Sequence, residues 1–132
     1  HMGSLITEDK EKMTEILKIA KERGWYYVDS VTTGKSVAYD TAIELGVPAV
    51  KRDVFLDSTQ SKEKIKDNLR KAIKIANEKG YSVAIGHVGA EGGKVTAEAI
   101  NEVLNEVGDS VDFVGVSKLL TIVGKNGTPL GR

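Results

Sequence analysis

Cysteine is absent from the 132 residues, which excludes disulfides and thiolate metal sites and leaves the redox compartment open. Excess charge is absent too, since 19 basic residues balance 19 acidic ones. A nucleic-acid binder draws most of its affinity from phosphate contacts and shows a basic surplus or stripe, so that class is set aside. The Lys-rich stretch from Lys62 to Lys79 is interleaved with Glu63, Asp67 and Glu78 at helical spacing, which describes a solvated helix face. No apolar run approaches the roughly 18 residues that span a bilayer. With only His1 and His87, and no Gly-x-Ser-x-Gly elbow, a serine triad has few options. A phosphate loop is missing as well. Gly93-Lys94 is followed by Val95 instead of Ser or Thr, and Val88 stands where its first glycine belongs.

What is present is an alternation. The length suits one domain, and 40% hydrophobic with 29% charged residues is a globular composition. Each of four units is a helical stretch, a glycine and a short β-prone run. The first predicted helix runs from Thr7, as N-cap, to Arg23, with Met13, Ile16, Leu17 and Ala20 on one stripe, and Trp25–Val28 follows as a strand. The second helix covers Ser36–Leu45, and Pro48–Leu56 reads as a strand interrupted by Lys51-Arg52-Asp53. The third is capped by Ser61, carries Ile65, Leu69, Ala72, Ile73 and Ala76 on one face, and closes at Gly80. Ser82–Gly86 reads as a nearly fully buried strand. A fourth helix runs from Thr96 to Gly108, Asp112–Val116 reads as the last strand, and Thr121–Arg132 as a poorly ordered tail.

This order implies an α/β fold of about four parallel strands with flanking helices. In such folds chemistry gathers at the carboxyl ends of the strands. That rule selects Asp29 and Ser30 after the first strand, Arg52, Asp53 and Asp57 around the second, His87 after the third and Ser117 after the fourth. His87 leads. It follows an apolar run and precedes a glycine-rich loop, which suits a metal ligand, an acid–base group or a histidine held by a backbone carbonyl. Asp29 suits a metal ligand, a partner for histidine, a sugar contact or a turn cap. On a continuous strand Asp53 and Asp57 face one side with Phe55 between them, and Arg52 faces the other.

Several segments together resemble a known family. They are His1-Met2-Gly3-Ser4 with Thr7, Val28-Asp29-Ser30 with Thr32 and Thr33, Ser36-Val37-Ala38, Gly46-Val47-Pro48, Arg52 to Asp57, Ala84 to Gly89, and Val116-Ser117. In this combination the sequence resembles the divergent polysaccharide deacetylases, relatives of metal-dependent carbohydrate esterases with a distorted β/α barrel. The resemblance implies that residues 1–120 are the C-terminal portion of such a barrel, about half of the roughly 250 residues a β/α barrel needs, with 121–132 as a flexible tail. It also makes His1 a native residue, where composition alone reads His1–Ser4 as a cloning remnant.

By this likeness His87, Asp29 and Asp53 are the catalytic candidates, and Ser30, Arg52 and Asp57 the substrate-binding ones. His1 and His87 become metal ligands, for a divalent cation, with zinc the expected one, in the full-length protein. The implied activity is removal of N- or O-acetyl groups from a polysaccharide or peptidoglycan-type sugar, in the cell envelope or outside the cell. The alternative is a carbohydrate-binding or structural domain that has lost catalysis on the same fold. Half a barrel is too short to hold a whole active site, so the fragment alone is expected to be inactive, and a partial parallel sheet leaves an open edge, so it is expected to self-associate.

Overall fold

The computed structural model describes residues 3–89 and 93–125. Its helices and strands are α1 (Ser4–Thr7), α2 (Lys10–Glu22), β1 (Tyr27–Asp29), α3 (Ala38–Glu44), β2 (Ala49–Lys51), β3 (Val54–Phe55), α4 (Lys62–Lys79), β4 (Ala84–Ile85), α5 (Lys94–Val107) and α6 (Val116–Lys125). The chain divides into one unit of residues 1–51 with 114–132 and another of residues 52–113.

In the first unit, α2 starts later than its sequence suggests. Ser4–Thr7 forms a turn of its own, where the Thr7 hydroxyl donates to the Ser4 carbonyl at 2.8 Å. Asp9 therefore caps α2, accepting from the Lys12 amide at 3.1 Å. Met13 and Leu17, one turn apart, bury against Ala38, Tyr39 and Ala42 of α3 and against Val47 and Ala49. Beneath them β1 and β2 pair in parallel, with Tyr27 opposite Ala49 and Asp29 opposite Lys51.

The second unit repeats the scheme. Strands β3 and β4 are parallel, with Val54 opposite Ala84 and Phe55 opposite Ile85. Ile65, Leu69 and Ala72 of α4 meet Ala99 and Val103 of α5 over Val54 and Leu56. The Ser61 hydroxyl accepts from Lys64 at the start of α4, and Gly80 ends it with φ 94°, a left-handed value that glycine adopts without a Cβ clash. Outside this core, Lys62, Lys66 and Arg70 recur every fourth residue of α4. They face Glu98, Glu102 and Glu106 of α5, with Lys62–Glu102, Lys66–Glu102 and Arg70–Glu106 separated by 2.9, 2.9 and 2.8 Å. The Lys-rich stretch is thus one side of an interhelical charge ladder.

Three expectations are corrected. The run Pro48–Leu56 is two strands, because the charged Arg52-Asp53 pair leaves the ladder between Lys51 and Val54. The buried strand over Ser82–Gly86 shrinks to the half-buried Ala84–Ile85. Asp112–Val116 is no strand: Asp112 to Gly115 have no regular structure, and Val116 opens α6. The apolar residues Val116, Leu119, Leu120 and Val123 recur at helical spacing, and the last three are buried. Helix α6 also takes in residues 121–125 of the expected tail, while 126–132 lie outside the described residues. The architecture is mixed α/β with short parallel strands, and the described residues form no closed barrel.

Candidate active site

Register brings His87 together with Asp57, which was expected to bind substrate. From the Phe55–Ile85 pair, two further residues along each strand lead to Asp57 and His87. The Leu56 amide donates to the Ile85 carbonyl at 2.9 Å and continues the pairing to the carboxyl ends. There His87 Nδ1 lies 2.7 Å from Asp57 Oδ1, and the His87 amide donates to Oδ2 at 2.7 Å. A third donor, the Thr96 hydroxyl on the first turn of α5, reaches the same Oδ2 at 2.8 Å. Asp57 is 4% exposed, so a single carboxylate collects three donors out of contact with water.

Burial raises the proton affinity of Asp57, but the side-chain and amide hydrogen bonds of His87 and that of Thr96 outweigh it. The net effect holds the Asp57 carboxyl below the usual carboxylate range. An ionised carboxylate only accepts, so His87 Nδ1 carries the shared hydrogen and Nε2 is the basic nitrogen of the neutral ring. The imidazole side chain is 31% exposed. Phe55 stands beside it, ring centroids 5.6 Å apart, and the Arg52 guanidinium lies 3.8 Å from the Phe55 centroid. Arg52 reaches this side because β2 and β3 break on either side of it, where an unbroken strand would have turned it away.

Gly86 makes the junction possible. A Cβ at this position would sit 3.1 Å from Thr96 Cγ2 and 3.7 Å from Asp57 Oδ2. Beyond His87, its carbonyl accepts from the Gly93 amide at 2.9 Å, tying the end of β4 to the start of α5.

Of the other candidates, Asp53 lies at the opposite end of β3 from Asp57, and Asp29, Ser30 and Ser117 belong to the other unit. Asp53 precedes β3, at the amino end, four residues or about 13 Å along an extended chain from Asp57. Its carboxylate accepts from Lys79 Nζ at 2.6 Å and from the Val83 amide at 2.8 Å, which fastens the strand entry. Asp29 ends β1 in the other unit, and Ser30 follows it. Asp29 is buried and accepts from the Val31 amide at 2.8 Å, the Ser36 hydroxyl at 2.7 Å and the Tyr39 amide at 3.3 Å. Its carboxylate shapes the turn into α3, where Val31 has φ 49°, unusual for a β-branched residue. Ser117 lies on α6.

His1 lies outside the described residues, and among those described no three His, Asp or Glu side chains gather as a metal-ligand set. Thr96 is the functional residue that the sequence reading took only as a helix start. Its signal was present all the same, in a hydroxyl on the first turn after the histidine loop.

The comparisons bear on family and fold. A model of the family described as divergent polysaccharide deacetylase matches residues 1–120. An uncharacterized protein of Haemophilus influenzae is 32% identical over 119 residues, covering 90% of this chain and 41% of that protein. The uncharacterized protein YibQ of Escherichia coli K12 is 31% identical over 120 residues, covering 91% of this chain and 36% of its own length. A crystal structure of an uncharacterized protein from Agrobacterium tumefaciens C58 superposes with a TM-score of 0.77 at 21% identity, over 86% of this chain and 45% of that one. At that identity the likeness concerns the fold. The chain spans less than half the length of each of these relatives. With a family match from residue 1 to residue 120, the chain belongs to the divergent polysaccharide deacetylases.

Proposed function

We propose that the full-length protein is a deacetylase-like hydrolase on a β/α barrel, removing acyl groups from an acylated polysaccharide, with His87 as its general acid and Asp57 as the group that orients it. The carrying observation is the 2.7 Å contact between His87 Nδ1 and the buried Asp57 carboxylate. That contact fixes the ring's tautomer and presents Nε2 as the atom that exchanges the proton. In hydrolysis a C–O bond to water forms while the neutral Nε2 takes a proton from that water, and the acyl C–N bond breaks to leave a carboxylic acid. Protonated Nε2 gives its proton to the departing nitrogen, which leaves as an amine. A positioned acid of this kind contributes roughly 10²–10⁴-fold in rate.

The divalent cation implied by the family, with zinc the expected metal, would need ligands beyond the described residues, and the step above uses none of its chemistry. The Arg52–Phe55 stack beside His87 supports a substrate-binding role for Arg52.

Acetate release from N-acetylated chitin or peptidoglycan fragments by the full-length protein tests the reading. His87→Ala is expected to lower the rate at least 100-fold without unfolding the protein. Equal rates for wild type and variant would remove His87 from the reaction. Tight glycan binding without release would favour the non-catalytic domain instead.

A further inference from the structure

A cavity of about 360 Å³ opens beside His87, walled by Leu56, Leu69, Ala84, Ile100 and Phe113. All of its lining residues belong to the unit of residues 52–113. Among the described residues His87 is the one titratable side chain in the lining, and the other polar one, Thr96, gives its hydroxyl hydrogen to Asp57. A sugar ring placed here would carry hydroxyl groups into walls that offer them almost no partners, and unpaired polar groups are expelled from such surroundings. An acetyl methyl would leave most of the space unfilled. An apolar cavity of about 150 Å³ is enough to hold a benzene molecule, so this one has room for a chain of about six to ten carbons. An apolar wall with one polar group at a fixed point is also the common form of a small-molecule pocket.

We propose that this cavity receives an unbranched acyl chain longer than acetyl, with its carbonyl end at His87 and the sugar outside. The substrate class is then a medium-chain N- or O-acyl sugar. The direction of the chain rests on the role proposed for His87, whereas the occupancy of the cavity does not.

Two measurements on the full-length protein separate these parts. In the first, the product carboxylates acetate, butanoate, hexanoate and octanoate are titrated while the His87 imidazole resonances are followed. Burying one methylene group tightens binding about fourfold. Affinity is therefore expected to climb by that factor per carbon through octanoate. Ala97 is an exposed member of the lining, so Ala97→Trp fills the cavity without disturbing the core and is expected to flatten the series. Octanoate binding no tighter than acetate, or a series unchanged by Ala97→Trp, would overturn the proposal.

In the second, hydrolysis of N-acetyl- and N-octanoylglucosamine oligomers is compared. A preference of tenfold or more for octanoyl supports the acyl-chain assignment, and equal or reversed rates refute it while leaving the hydrolase reading intact. A chain-length series in binding with no cleavage of either oligomer supports the cavity assignment and defeats the hydrolase reading alone.

Discussion

Asp57 holds His87 at two points, through the ring nitrogen Nδ1 at 2.7 Å and the backbone amide at 2.7 Å. One side chain thus fixes both the direction of the imidazole and the path of the chain that carries it. Asp57→Asn cannot reproduce this, because its amide has one accepting oxygen and an NH₂ group that must face one of three donors. The substitution is expected to lower stability by about 1–3 kcal/mol, measured by urea unfolding. An unchanged midpoint would mean that the buried donors find other partners.

Acid sensitivity follows from the same carboxylate. Asp57 ionises more readily in the folded chain than at the ordinary unfolded value of about 3.9. Its contribution is fully present above that value and is lost as pH falls through the lower folded one. Glu102 and Glu106 are also shifted down, by their hydrogen bonds to Lys66, Lys62 and Arg70, but they are exposed and screened by salt. Wild type minus Asp57→Asn, followed by unfolding between pH 5 and 2 in high salt, is expected to isolate a stability difference that shrinks toward the acid end.

Thr96 acts through Asp57. Thr96→Val removes a buried donor to Oδ2 while keeping the shape, at an expected cost of about 1–3 kcal/mol, and Thr96→Ser is expected to restore most of it. The imidazole resonances of His87 should move in the valine variant and return in the serine one. If both variants left them in place, the hydroxyl would have no part in setting the pair.

At Gly86 space decides the outcome. The Cβ of Gly86→Ala meets Thr96 Cγ2 at 3.1 Å, so α5 or the end of β4 must shift by a few tenths of an ångström. Overpacking of this kind costs about 1–3 kcal/mol. The variant is expected to be less stable and to perturb His87, and Gly86→Ala together with Thr96→Ser, which removes the crowding methyl group, is expected to recover part of the loss.

Much of this was legible before any coordinates. Helices α4 and α5 stand where their apolar faces, the Ser61 cap and the closing glycines put them. His87 was legible as well, as a polar residue after an apolar strand. Other features depend on contacts that a single strand does not reveal. Asp53 and Asp57 looked equivalent along one extended run, yet the break before Val54 leaves Asp53 at the amino end with Lys79, and only the parallel register aligns Asp57 with His87. Asp112–Val116 misled because Val116, one of its two β-branched residues, belongs to the apolar stripe of α6, and the longer helical pattern won.

The central claim is that His87 and Asp57 work as one unit, and a double-mutant cycle on the full-length protein addresses it most directly. Acyl release is measured for wild type, His87→Ala, Asp57→Asn and the double variant. The expected result is a double variant no slower than His87→Ala alone, because an orienting carboxylate has nothing left to orient once the ring is gone. Rate losses that multiply, each substitution acting in full whether or not the other is present, would contradict it.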